Sequence, residues 1–197
     1  SDIPAGTYTV TATDENGCSV DSNIEISEPD EVTVSVNNIS VVSCPGGNDG
    51  SIDIEINGGF PPYDFIWSSV NGFSSINEDI SNLVSGDYSL TVLDNLNCSY
   101  DFSFFVPEVD AIIIQEVHQD VSCFGENDGS ISIDVFGGVP PFSYSWSNGL
   151  VTSNIDNLGP GDYILTVTDS NLCSQEIEVS ISEPALLTFQ VNTFDVS

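Results

Sequence analysis

The chain has 197 residues, of which 31 are Asp or Glu and none is Lys or Arg, for a formal net charge of −31. Nucleic acid and anionic membrane surfaces are excluded as partners, because binding either needs cationic side chains to neutralise phosphate. Trypsin-like proteases have no cleavage site here, and a hydrophobic content of 40% is enough to build packed interiors. No apolar run reaches the length of a membrane span, and no signal peptide is visible.

The chain opens on Gly6-Thr7-Tyr8-Thr9-Val10, a strand signature that returns twice downstream, and continues through Asp14-x-Asn16 to Cys18. After Glu28-Pro29 a new unit begins. Ile52, Ile54 and Ile56 alternate with Asp53, Glu55 and Asn57, the period of a strand with one wet face. Turn chemistry brackets this run: Asn48-Asp49-Gly50 before it, Gly58-Gly59 and Pro61-Pro62 after it. Tyr63-Asp64-Phe65-Ile66-Trp67 reads as a third strand carrying a core Trp. Leu83-x-x-Gly86-x-Tyr88 reads as a tyrosine corner leading into a strand with Leu90 and Val92 on one face. Cys98 follows, and Val106-Pro107 closes the unit.

The next stretch repeats this plan. Val42-Ser43-Cys44 returns 79 residues later as Val121-Ser122-Cys123, and Asn48-Asp49-Gly50-Ser51-Ile52 returns as Asn127-Asp128-Gly129-Ser130-Ile131. Gly137-Gly138-Val139-Pro140-Pro141-Phe142, Trp146 and Leu158-x-x-Gly161-x-Tyr163 follow in order, then Cys173 and Glu183-Pro184. Nothing keeps a helical period over three turns. The prediction is an all-β chain of tandem immunoglobulin-like β-sandwich modules in an extended array. The prolines divide it into the C-terminal part of one repeat (1–29), two complete repeats (30–107 and 108–184) and the N-terminal strand of another (185–197).

Five cysteines at recurring positions indicate disulfides and an oxidising compartment. Two pairings fit the spacing. Cys44–Cys98 and Cys123–Cys173 would staple each repeat, leaving Cys18 to a partner upstream. Cys18–Cys44 and Cys98–Cys123 would cross the junctions instead. The first is preferred, because a small sandwich gains most from an internal staple and a junction hairpin conflicts with an extended array.

Catalytic chemistry has few carriers. His118 is the only histidine, it falls in a predicted first strand, and no nucleophile–base set or oxyanion-holding cation accompanies it. The expectation is a protein that is not an enzyme and holds no cofactor. Calcium is the ligand worth weighing, because hard cations take clustered carboxylate oxygens. Asp49 and Asp128 in the Asn-Asp-Gly turns, and Asp94 and Asp169 ahead of Cys98 and Cys173, are the candidates. The competing reading, which is favoured, makes them turn formers that cap their own backbone. Phe73, Phe105 and Phe124 could stack on sugars, but none recurs at a matching position.

Taken together, Val-Ser-Cys, Asn-Asp-Gly-Ser-Ile, Gly-Gly-x-Pro-Pro, Trp-Ser, Asn-Leu-x-x-Gly-Asp-Tyr and Leu-Thr-Val-x-Asp resemble the SprB repeat, found in very large surface adhesins of gliding bacteria. The resemblance extends over both complete repeats and both partial ones. It implies a structural stalk segment of a repetitive cell-surface adhesin, extracellular, exported by type IX secretion and moved by the gliding machinery. It further implies neighbouring repeats as immediate partners, and surface polysaccharide or substratum gripped through other regions. Leu96 and Leu172 depart from the Gly seen in Asn16-Gly17-Cys18, and the stretch from Trp146 to Leu158 is four residues shorter than that from Trp67 to Leu83. A multivalent carbohydrate-binding array is the alternative.

Overall fold

The computed structural model describes residues 3–191, and among these it contains strands and turns only. Contacts gather the chain into two compact units. Ser1–Ile39, Ile52–Ile80 and Gly86–Phe105 make the first; Ser40–Ser51, Ser81–Ser85 and Val106–Ser197 make the second.

The chain starts with a hairpin, β1 (Gly6–Thr13) and β2 (Ser19–Ile26), in register from Gly6↔Ile26 to Thr13↔Ser19. Residues 33–106 carry β3 (Thr33–Ser40), β4 (Gly50–Asn57), β5 (Asp64–Ser69), β6 (Ser74–Ser75), β7 (Ile80–Leu83), β8 (Gly86–Leu93) and β9 (Ser99–Val106). One sheet has the order β3-β4-β7 and the other β6-β5-β8-β9. Residues 113–181 repeat the plan with β10 (Ile113–Gln119), β11 (Gly129–Phe136), β12 (Ser143–Trp146), β13 (Asn154–Leu158), β14 (Gly161–Thr168) and β15 (Ser174–Ile181), in sheets β10-β11-β13 and β12-β14-β15. This is the strand order of an immunoglobulin-like sandwich. The counterpart of β6 is missing because the shorter stretch after Trp146 closes as a tight turn, with the Gly149 N–H donating to the Trp146 carbonyl at 2.9 Å.

The alternation read in the sequence sets the core. Ile131 and Ile133 are buried while the alternating Ser132 and Asp134 are not, and Ile52 and Ile54 behave the same way. In residues 108–184, Ile131, Ile133 and Ile155 from one sheet pack in a single cluster with Trp146, Leu165 and Val167 from the other. Trp67 and Trp146 are both buried, and each indole donates to a backbone carbonyl at 2.9 Å, Asn77 and Thr152 respectively. The tyrosine corner forms where expected: the Tyr163 hydroxyl donates to the Gly159 carbonyl at 3.0 Å, and Tyr8 does the same to Pro4 at 2.7 Å.

Two motif glycines have packing reasons. Gly129 begins β11 at a place where a Cβ would lie 3.0 Å from both the Ile181 side chain and the Leu158 carbonyl. Gly137 adopts φ +66°, and a Cβ there would come within 2.1 Å of the Ala111 carbonyl. The Asn of the Asn-Leu pair is explained too, since Asn82 and Asn157 take φ 59° and 56°, a region Asn tolerates better than most residues.

The strand expected over 185–197 is not formed across 185–191, and residues 192–197 lie outside the described residues. The first strands β3 and β10 each pair with the strand that follows them in their sheet, whereas 185–191 has no such partner among the described residues.

Candidate functional site

Two kinds of loop carry the cysteines, and backbone-directed carboxylates shape both. The first kind holds Val-Ser-Cys. In the loop of Cys44, the Ser43 N–H donates to Asp49 Oδ1 at 2.9 Å and the Gly46 N–H donates to Glu108 Oε2 at 2.9 Å. The loop of Cys123 is built alike: Ser122 N–H to Asp128 Oδ1 at 2.9 Å, and Gly125 N–H to Glu183 Oε2 at 2.9 Å. The second kind is the hairpin turn ahead of β9 or β15. Asp169 Oδ1 accepts from the N–H groups of Asn171 and Cys173, both at 2.9 Å, and its Oδ2 accepts from Val139 at 3.0 Å. Asp94 likewise accepts from Leu96 and Cys98, both at 2.9 Å. Asp14 repeats the motif on Asn16 and Cys18.

At each of the four calcium candidates Asp49, Asp94, Asp128 and Asp169, carboxylate oxygens accept backbone N–H groups, as a turn clamp does. Among the described residues, no three His, Cys, Asp or Glu side chains gather in a group that could hold a metal ion. Hydrogen bonds from the Ser43 side chain and backbone hold the Asp49 carboxyl below its usual range, and those from Ser122 do so for Asp128. Burial works to raise Asp94, but the N–H groups of Cys98, Leu96 and Phe60 together bring it below its usual value. The Ser182 backbone and hydroxyl likewise lower Asp120, against which His118 also stands. Groups whose folded pKa is depressed contribute stability that is complete above the unfolded carboxyl value of about 4 and lost as pH falls through the folded values. The melting temperature is therefore expected to drop below about pH 4. An Asp94→Asn, Asp128→Asn double variant, followed by circular dichroism across pH 2–6, should show a shallower acid limb (about that carboxyl range). An unaltered slope would remove these clamps from the acid response.

The disulfide corrects the sequence reading. Cys44 is bonded to Cys173, with Cα atoms 5.6 Å apart and a sequence separation of 129. The expected Cys44–Cys98 and Cys123–Cys173 bonds are not formed; Cys98 and Cys123 are free and exposed, as is Cys18. The alternative pairs Cys18–Cys44 and Cys98–Cys123 are not formed either. The reason is strand length. Cys173 stands immediately before β15, whereas the Cys123 loop is tied to the far end of that strand by the Val121 N–H donating to the Ser182 carbonyl at 3.0 Å. An eight-residue strand spans roughly 26 Å, and a disulfide needs Cα atoms within about 7 Å. The first repeat has the same construction: Cys98 precedes β9, and the Val42 N–H is bonded to the Pro107 carbonyl at 2.8 Å.

Within the second unit, Asn171 completes the joint by donating from Nδ2 to the Ser43 carbonyl at 3.0 Å. A groove of about 370 Å³ flanks the bond, walled by Pro45, Ala111, Ile112 and Gln175. Reasoning from sequence gave Asn171, Glu108 and Glu183 no part in shaping these loops. The only available signal was that the cysteines occupy two unlike positions in a repeat.

The other candidates are placed as follows. His118 lies on β10, exposed, with Nδ1 2.9 Å from Glu116 Oε2. Phe105 and Phe124 are exposed, but Phe73 is half-buried edge-on to Tyr88, with ring centroids 5.5 Å apart.

The SprB repeat family model matches the chain twice, at residues 36–72 and 116–151. These stretches contain both Val-Ser-Cys and Asn-Asp-Gly motifs and both buried Trp residues, so the resemblance stated from the motifs stands. No curated protein sequence matches the chain. Solved structures similar to it are immunoglobulin-domain arrays. The N-terminal eight Ig domains of Down Syndrome Cell Adhesion Molecule are 15% identical with a TM-score of 0.41, over 92% of this chain and 28% of that one. DIP-gamma IG1+IG2 is 13% identical with a TM-score of 0.40, over 76% and 97%. An amphioxus IgVJ-C2 molecule is 17% identical with a TM-score of 0.33, over 72% and 99%. The chain thus spans under a third of the first of these.

Proposed function

We propose, from these two SprB repeat matches, that the chain is a stalk segment of a large repetitive cell-surface adhesin whose work is length and resistance to pulling. The observation that carries this reading is the Cys44–Cys173 bond, which ties a loop of one sequence repeat to the hairpin of the next. Force applied outside residues 44 and 173 passes through that bond and bypasses the stretch it encloses, a sequence separation of 129. Antiparallel ladders such as β14–β15, paired over eight residues, resist shear cooperatively. A net charge of −31 with no compensating cation keeps neighbouring filaments apart. The disulfide supports an extracellular, oxidising location. By the same reading, export by type IX secretion, movement by the gliding machinery and contact with substratum or polysaccharide through other regions belong to the whole adhesin.

The carbohydrate-binding alternative would need an aromatic platform repeated in each module, and the exposed Phe105 and Phe124 stand at non-equivalent positions of different repeats. Single-molecule pulling combined with a glycan array tests the stalk reading. With the bond intact, residues 44–173 should contribute no extension; a reductant should release about 45 nm, at roughly 3.5 Å for each of 129 residues. The reading fails if the chain extends fully without reductant, or if it binds an arrayed glycan with micromolar affinity.

A further inference from the structure

We infer that the free thiols Cys123 and Cys98 are the two halves of a second joint of the Cys44–Cys173 kind, so that the Cys123 loop is a docking surface for the Asp-x-x-x-Cys hairpin of another repeat. The inference rests on the stalk reading for its biological sense, though not for its chemistry.

The match between occupied and unoccupied halves is close. The Cys123 loop has the same two clamps as the Cys44 loop, Asp128 on Ser122 and Glu183 on Gly125. The Cys98 hairpin has the same clamp as the Cys173 hairpin, one carboxylate oxygen accepting from the second and fourth residues after it. Positive φ recurs at the residue before the cysteine, 61° at Asn97 and 68° at Leu172. A groove of about 360 Å³ flanks Cys123 as one of about 370 Å³ flanks Cys44. Here the walls are Phe124, Pro184, Leu186 and Leu187, and Phe124 and Leu187 are 51% and 95% exposed. The matching hairpin is apolar in the same place: Leu96, 57% exposed, stands where Asn171 stands in the closed joint. The occupant is therefore the Asp94–Cys98 hairpin of a repeat like this one, which a second copy of the chain can supply.

Such a contact joins unlike surfaces, so it propagates head to tail rather than closing a dimer. It also changes the mechanics. Cys123 lies inside the segment enclosed by Cys44–Cys173, so a bond from it to a further repeat of the same chain makes overlapping covalent loops, in which the stretch from Cys123 to Cys173 links the two bonds and carries the load. The joint forms by thiol–disulfide exchange with a small-molecule disulfide. The Cys123 thiolate attacks it, giving a mixed disulfide and one free small thiol. The Cys98 thiolate then attacks the protein sulfur, releasing the second small thiol and leaving the Cys123–Cys98 bond.

Mixing two double variants of the full chain tests this. Cys18→Ser, Cys98→Ser keeps only Cys123 free, and Cys18→Ser, Cys123→Ser keeps only Cys98 free. With glutathione disulfide present, the mixture should give a disulfide-linked heterodimer about tenfold faster than either variant gives a homodimer, as docking raises the local thiol concentration. Peptide mapping should find Cys123 joined to Cys98, while both variants keep the parental melting temperature. Homodimers forming as fast as the heterodimer would overturn the joint, and so would Cys123 remaining only as its glutathione adduct. Either failure leaves the pulling and glycan results standing, so the two readings fail separately.

Discussion

Serine at both Cys44 and Cys173 is expected to cost this chain about 2–4 kcal/mol of unfolding free energy, with about 5 kcal/mol as the ceiling the chain-entropy relation gives for a loop closed over a sequence separation of 129. The bond acts chiefly on the unfolded ensemble, by denying it the conformations in which those residues stray far apart. Locally, little is lost, because Asp49, Glu108 and Asp169 still clamp the two loops and Asn171 still reaches Ser43. Urea denaturation followed by far-UV circular dichroism should show the midpoint fall in the double variant and in the wild type under reductant. Cys98→Ser and Cys123→Ser, which alter free and exposed thiols, should leave it in place. Equal losses from Cys123→Ser would mean that the effect comes from cysteine chemistry in general and not from this closed loop.

Much of the fold was legible because its signals are periodic and local. Ile52, Ile54 and Ile56, and their counterparts from Ile131 to Val135, announce strands with one wet face, and two turns of that kind around a Trp announce a sandwich. Phe73 was harder, since a loop aromatic gives no periodic hint that it will turn against Tyr88. The carboxylates were found but their use was ambiguous. A calcium ligand and a backbone clamp both require an acid beside small residues in a turn, and only three-dimensional placement shows which backbone N–H groups Asp94 and Asp169 accept from. The disulfide misled for a geometric reason. Cys44 and Cys98 belong to one repeat and enclose a loop of favourable size, so spacing alone recommends them. Eight-residue strands put them at opposite ends, a constraint contained in the strand lengths but not in the separation of the cysteines.

Trp146→Ala should be the most damaging single substitution in residues 108–184, at about 3–5 kcal/mol. The indole is 3% exposed and packs in the cluster that Ile131 and Ile155 form with Leu165 and Val167 from the facing sheet, so its removal opens a void between layers that cannot collapse without bending strands. It also withdraws the Nε1 donor from the Thr152 carbonyl, the bond that pins the shortened turn after β12. Trp146→Phe separates the two contributions. It keeps most of the ring volume and loses the donor, so its cost should be well under half that of Ala, measured as the shift in urea midpoint at constant slope. Trp67 offers the matched comparison, buried to 1% exposure, bonded to the Asn77 carbonyl and stacked at a tilt on Phe104 with centroids 5.4 Å apart. Its replacement by Ala should cost at least as much. If Trp146→Ala proved as mild as Trp146→Phe, the layer would be held by its aliphatic residues alone, and the recurrence of Trp in both repeats would need another cause.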